Sequence, residues 1–219
     1  MNRIILMVVF LIAVFAVSAM GQTIVGTKHD LSSGTGGITN KSSNESQVCI
    51  FCHTPHQPTG VTTDPLWNHT LSATAAYGVY ASNTLTAVPT DIGGGSSTSN
   101  LCMSCHDGTV AVNSLGNTSS VGTPTMGTGT ELNASFQIAN TRAAYLGTNL
   151  TNDHPINFTY DATLATTDGG LKNPSLITVP LFGGQVQCAT CHDAHTNANA
   201  PFLTHTNAAS GLCLDCHTK

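Results

Sequence analysis

Hydrophobic residues are spread unevenly along the chain of 219 residues. A continuous apolar run extends from Ile4 to Val17 and follows the positive charge of Arg3. This run is shorter than the roughly 20 residues that a membrane-spanning helix needs, and the small residues Ser18 and Ala19 follow it. We therefore predict that residues 1–19 are an export signal, with a retained membrane anchor as the alternative.

The remainder of the chain contains only short apolar segments, and none is apolar enough to cross a membrane. The pattern predicts a short helix over residues 107–112. It also predicts a small hairpin that pairs residues 176–179 with 185–187 around Phe182-Gly183-Gly184. The glycine-rich stretch 122–129 is predicted to be a loop.

Four copies of the motif Cys-x-x-Cys-His interrupt this pattern and use all eight cysteines. In this motif two thiols form thioethers with one haem, and the adjoining histidine ligates its iron. Zinc knuckles and disulfides also pair cysteines, but neither needs a histidine after the second cysteine in every copy. We therefore predict four covalently attached haem c groups, bound through Cys49, Cys52, Cys102, Cys105, Cys188, Cys191, Cys213 and Cys216.

The motifs repeat as two pairs with the shared pattern Cys-x-x-Cys-His-x-x-His, Pro-x-x-x-His-Thr, Leu-Cys-x-x-Cys-His. This repeat defines two paired-haem modules, at 47–112 and 186–219, joined by the motif-free linking region 113–185. The polar segment 20–46 is predicted to be an extended N-terminal arm. About 50 residues per haem are too few for separate side-chain cores. We expect a multihaem c-type cytochrome of mostly irregular coil, with a few short helices and minor β-hairpins wrapped around a haem stack.

Charged residues make up only 8% of the chain. There is no basic patch of the kind that binds nucleic acid, so we expect no nucleic-acid partner. Haem c is attached outside the cytoplasm, and we predict no membrane span after signal cleavage. We therefore expect a secreted protein at an extracellular or cell-surface location, with the periplasm as the alternative.

Ten histidines are available as iron ligands. Four are the proximal ligands of the motifs, namely His53, His106, His192 and His217. Methionine is nearly excluded as a second ligand, because Met103 lies inside a haem-binding loop and Met126 is the only other candidate. We therefore expect every iron to be bound by two histidines, the second of which comes from His29, His56, His69, His154, His195 and His205.

His56 and His195 each stand three residues after a proximal histidine. Axial ligands approach an iron from opposite faces, so neither residue can bind the iron that its neighbour already holds. We predict that each one caps a second haem, which draws the irons together into a stack. The alternative is that both are solvated polar residues.

Two axial positions remain to be filled. We favour His29 and His154, because they have no equivalents in the repeat, as expected of ligands added individually. His69 and His205 are repeat equivalents of each other and are the second choice. Both follow a bulky apolar patch and can instead pack against a haem or bond its propionate.

Several motifs together resemble the tetrahaem extracellular cytochrome nanowires of the outer-surface cytochrome E type. They are Lys28-His29-Asp30, Cys-x-x-Cys-His-Thr-Pro-His followed by Pro-Leu-Trp-Asn, Leu-Cys-Met-Ser-Cys-His-Asp-Gly-Thr-Val-Ala, and Asn-Asp-His-Pro. The resemblance covers most of the chain after residue 19, except the loops 71–99 and 113–150. It implies a head-to-tail homopolymer with stacked haems, in which His29 on its arm completes a haem of the neighbouring subunit.

Irons with both axial positions filled have no open site for a substrate, which leaves outer-sphere electron transfer. We therefore expect a protein that is not an enzyme and that conducts electrons along a filament to redox partner proteins and an external acceptor. One alternative is a monomeric periplasmic tetrahaem electron carrier. The other is a multihaem reductase with one open haem.

Overall fold

The computed structural model describes residues 23–34, 36–58, 66–93, 97–127 and 129–218. The predicted export signal, residues 1–19, lies outside the described residues. Turns and irregular loops make up most of the described chain. This confirms the prediction of a mostly irregular fold with little regular secondary structure.

Four short α-helices and one two-stranded sheet form the regular structure of the described residues. The helices are α1 (Thr98–His106), α2 (Ala162–Asp168), α3 (Cys188–Cys191) and α4 (Gly211–Cys216). Single 3-10 turns lie at Cys49–Phe51, Pro174–Leu176 and Ala208–Ser210. Strands β1 (Phe158–Thr159) and β2 (Gln185–Val186) pair antiparallel, with Phe158 opposite Val186. In the described parts of the chain, every helix is too short to span a membrane.

The helix predicted over residues 107–112 is wrong, because α1 precedes this segment and ends at His106. Asp107 accepts hydrogen bonds from the backbone N–H and the hydroxyl of Thr109, both at 2.8 Å. Such a side-chain bond two residues ahead offers the backbone a turn in place of the next helical bond. Gly108 then adopts a left-handed conformation, with φ of 72°, and the chain leaves the helix direction.

The predicted hairpin between residues 176–179 and 185–187 is also wrong. Strand β2 pairs with β1 in the linking region instead. The backbone N–H groups of Thr178 and Val179 both donate to the carboxylate of Asp215 at 2.8 Å. These two backbone N–H groups therefore bond to Asp215 of the fourth haem motif and do not pair with a strand.

The segment predicted as an extended arm, residues 20–46, folds back onto the protein. Its described part forms turns, and Ser42 bridges to Met126. Asn40 and Glu45 are each only 1% exposed. The Asn40 amide donates to the Gly127 carbonyl and accepts from the Glu131 N–H, which fixes the segment against the linking region.

Within the ranges that the structure describes, buried apolar side chains form three small clusters in place of one large core. The first contains Phe51, Val112, Met126 and Leu132, the second Tyr77, Ile92, Met103 and Leu150, and the third Phe158, Tyr160 and Val186. Clusters of this size bury little apolar area and give correspondingly little stabilisation. Met103 and Met126 belong to these clusters, where their side chains pack against other apolar residues.

A buried carboxylate links the second haem motif to the loop before it. Asp107 is 1% exposed and accepts hydrogen bonds from the hydroxyls of Ser72, Thr74 and Tyr77. Burial opposes ionisation, but the hydrogen bonds, led by that from Ser72, outweigh it and lower the pKa of Asp107. The residue directly after His106 is therefore a fixed negative charge.

Tyr77→Phe should lower the free energy of unfolding by about 1.5–3 kcal/mol, the usual contribution of a hydrogen bond to a charged group. Because the pKa of Asp107 is lowered, this stabilisation is present above the unfolded value of about 4 and is lost as the pH falls through the folded pKa. Denaturant unfolding of the haem-loaded protein across this range measures the effect. The exposed Tyr145→Phe is the matched control, and equal losses in both variants would contradict the prediction.

Candidate haem-binding sites

Each Cys-x-x-Cys-His motif contains a helical turn that places its two cysteines on one side. The motifs lie in the first 3-10 turn, at the end of α1, in α3 and in α4. The N–H groups of His53, His192 and His217 donate to the carbonyl of the first cysteine of their motif, at 2.8, 3.1 and 2.9 Å. All eight cysteines are free thiols, the state in which thioethers can form.

Three proximal histidines face a second histidine from a distant part of the chain. Their ring centroids are 6.1 Å apart for His106 and His29, 6.2 Å for His53 and His195, and 6.4 Å for His217 and His154. A first-row metal binds an imidazole nitrogen at about 2 Å, and the ring centre lies about 1 Å further away. Two imidazoles on opposite faces of one iron therefore have centroids about 6 Å apart. The three pairs fit bis-histidine haem ligation.

The hydrogen bonds of these histidines leave the other ring nitrogen free for iron. Five candidate ligands place Nδ1 within 2.7–3.2 Å of a carbonyl or carboxylate oxygen, namely His29, His106, His154, His192 and His195. These oxygens only accept hydrogen bonds, so Nδ1 carries the proton and Nε2 presents its lone pair. Metal-bound histidines are usually held in this way.

The two second-choice ligands lack this arrangement. His69 is 1% exposed, and its Nδ1 and Nε2 lie 2.9 and 3.0 Å from the carbonyls of Thr70 and Ala111. In His205, Nδ1 is buried without a hydrogen-bond partner in the described chain, and Nε2 lies 3.5 Å from the Thr178 hydroxyl. The geometry therefore favours His29 and His154 over His69 and His205.

The ring of His29 lies beside His106 of its own chain, and the donation of His29 to a haem of a neighbouring subunit stays a prediction. Its ring faces His106, packs on Phe202 at 4.3 Å and donates to the Ala194 carbonyl at 3.2 Å. Burial, with a smaller effect of His106, lowers the pKa of His29 to about 4. The arm that carries His29 packs onto the linking region and does not extend away from the subunit.

His56 and His192 remain outside the three pairs. Both side chains are exposed, and among the described residues no histidine ring lies opposite either one. The equivalent of His56 in the second module, His195, faces His53 of the first motif and not its neighbour His192. His56 and His195 therefore have different surroundings, although each stands three residues after a proximal histidine.

Thiols of successive motifs lie close enough to affect one another's pKa. Burial, followed by the charge of Cys105, raises the pKa of Cys52 to about 12. A hydrogen bond to Cys188 raises the pKa of Cys102, and this contact joins the second motif to the third. Burial, followed by the charge of Cys216, raises the pKa of Cys191 to about 11. Each motif therefore lies beside the next.

Residues 180–219 match the family described as the doubled CXXCH motif. The match indicates a multihaem c-type cytochrome. It covers the second paired-haem module, and the first module carries the same motif pattern outside the matched residues. No curated protein matches the chain.

The arrangement of the histidines and cysteines differs from that of a zinc site. Zinc sites need three or four converging His, Cys or carboxylate ligands. Within the described ranges, no group of three such side chains is arranged to hold a metal ion. Opposed histidine pairs beside free thiols are instead the donor set of covalently attached haem.

The hydrogen-bond partners that orient the ligands are hard to predict from the sequence alone. The carbonyls of Ala144 and Ala194 orient His106 and His29, and no side chain marks either position. Asp193 binds Nδ1 of His195, and its signal in the sequence is an acidic residue where the first module has Thr54. A backbone carbonyl can be identified as the acceptor for a histidine ring only when the fold is known.

The oxidised cytochrome should show two kinds of low-spin electron paramagnetic resonance signal. The rings of His53 and His195 are nearly parallel, at 12°, whereas the other two pairs are at 88° and 76°. Parallel axial imidazoles give a rhombic signal and perpendicular ones a strongly anisotropic signal with a large maximum g value. His195→Ala should remove the rhombic signal and leave the anisotropic ones. Loss of an anisotropic signal instead would contradict the pairing.

Acid should detach the distal ligand of the His29–His106 site last. Protons compete with iron for the imidazole, and a pKa of about 4 keeps His29 neutral to low pH. Burial also lowers the pKa of His106. An acid titration followed by absorbance and paramagnetic resonance measures the order, with the exposed His154 site for comparison. Earlier loss at the His29 site would contradict the assignment.

Proposed function

We propose that this multihaem cytochrome carries electrons outside the cell as one subunit of a head-to-tail filament with four haems per subunit. The observation that supports the filament is the unmatched pair His56 and His192. Three pairs within the chain use six of the eight candidate ligands, and these two remain. In the proposed assembly, His56 of one subunit completes the haem of His192 in the next.

Exposure makes this pairing between subunits possible. His56 and His192 both lie on the surface, so a second copy can approach either one. The donated ligand and the site that receives it lie at different places on the subunit, so the contact is heterologous. Such a contact generates a filament unless its rotation closes a ring. Few charges are present to specify the interface, and the iron–imidazole bond supplies that specificity.

Axial saturation limits the chemistry to electron transfer. Each bound haem supplies a one-electron iron couple, and imidazoles on both faces leave no position for a substrate. The chain holds five of the imidazoles through hydrogen bonds at Nδ1, and burial lowers the pKa of His29 and His106. The contacts between thiols of successive motifs support a continuous path through one subunit.

An extracellular location accords with the apolar segment at residues 4–17 and with the chemistry of haem attachment. The electrons would then pass to redox partner proteins or an external acceptor. A carrier that acts as a monomer in the periplasm would use the same haems, with His56 and His192 meeting in one chain. The exposed His192 also favours a second candidate, a reductase whose third haem has an open position.

His56→Ala should convert filaments to single subunits. We expect native protein to form filaments by negative-stain microscopy, with all haems low-spin and four haems per chain by the pyridine haemochrome assay. The variant should elute as a monomer by size exclusion, with one high-spin haem per chain that binds carbon monoxide. His56→Met, which keeps a ligand for iron, should restore a low-spin site.

His205→Ala is the matched control, because it removes a histidine whose Nε2 lies beside the Thr178 hydroxyl of its own chain and which has no part in the proposed contact between subunits. It should leave both the filaments and the spin state unchanged. Native monomers with four low-spin haems would establish the monomeric carrier. Native protein with a high-spin haem that binds nitrite or cyanide would establish the reductase.

A further inference from the structure

We propose that Asp193 sets the reduction potential of the haem bound between His53 and His195. The residue acts through His195 and not on the iron itself, so it is a positioning residue. The inference rests on the bis-histidine site and is independent of whether the subunits form a filament. It concerns a carboxylate that none of the four haem motifs contains.

Asp193 makes two hydrogen bonds to His195. Its Oδ1 accepts from the His195 backbone N–H at 2.9 Å and lies 3.2 Å from the ring Nδ1. The backbone of Asp193 is itself fixed, because its N–H donates to the Phe202 carbonyl at 2.7 Å. The carboxylate therefore holds the turn and the ring through one oxygen atom.

The charge of this acceptor distinguishes His195 from four other candidate ligands. The Nδ1 atoms of His29, His106, His154 and His192 all donate to neutral backbone carbonyls. A hydrogen bond to a carboxylate is stronger and makes the imidazole a better electron donor. A more basic ligand stabilises the ferric iron more than the ferrous iron. The reduction potential of this haem is consequently lowered.

The first module shows that the turn itself needs no charge. Thr54 stands where the second module has Asp193, and His56 where it has His195. The Thr54 hydroxyl donates to the His56 carbonyl at 2.9 Å and accepts from the His56 N–H at 3.4 Å. A neutral side chain therefore forms an equivalent local turn. The carboxylate of Asp193 adds an electrostatic effect to that turn.

Asp193→Asn separates the two roles. An amide oxygen can still accept both hydrogen bonds from His195, so the turn is kept and only the negative charge is lost. A redox titration followed by paramagnetic resonance reports this haem through the rhombic signal of its near-parallel ligands, and the signal that His195→Ala removes identifies it. We expect the rhombic signal to disappear at a higher potential in the variant. The anisotropic signals should disappear at their native potentials.

Asp168→Asn is the control for the loss of one negative charge, because Asp168 is an exposed carboxylate at the end of α2. Asp193→Thr installs the side chain of the first module and should raise the same potential. The near-infrared charge-transfer band of the ferric haem should move in both Asp193 variants, since it follows the basicity of the axial imidazole. Unchanged potentials in both variants, or equal shifts of all haems, would overturn the proposal.

Discussion

The approach of two histidine rings from distant parts of the chain, as the two axial ligands of one iron would be placed, is the interaction on which our account of this structure depends. The pairs His53–His195 and His154–His217 each join a motif to a segment remote from it in sequence. The apolar clusters are too small to hold these segments together without such cross-links. In our proposal, covalent haem attachment and axial ligation take the place of a large core.

Carboxylates organise the backbone beside these sites in a protein with little charge. Asp107 follows His106 and collects four hydroxyl groups, and Asp215 binds the backbone N–H groups of Thr178 and Val179. Asp193 combines a similar turn with a bond to the ring of His195. The same residue type thus serves folding at two motifs and, in our proposal, redox tuning at another.

The haem motifs can be recognised in the sequence because haem attachment requires residues that are close together in the sequence. The distal ligands, in contrast, reach the haem sites only through the fold. Spacing alone indicates that His195 binds the haem of another motif. It cannot indicate that Asn40 and Glu45 bury the N-terminal segment and so bring His29 to His106. The predicted helix over 107–112 and the predicted hairpin are wrong because side-chain carboxylates bind backbone donors that local propensity assigns to regular structure.

A structure of the haem-loaded protein at side-chain resolution tests the pairing of the histidines most directly. The account predicts His29 on the iron of His106, His195 on the iron of His53, and His154 on the iron of His217, all within one chain. An iron bound by His69 or His205, or His29 on an iron of a neighbouring subunit, would contradict it.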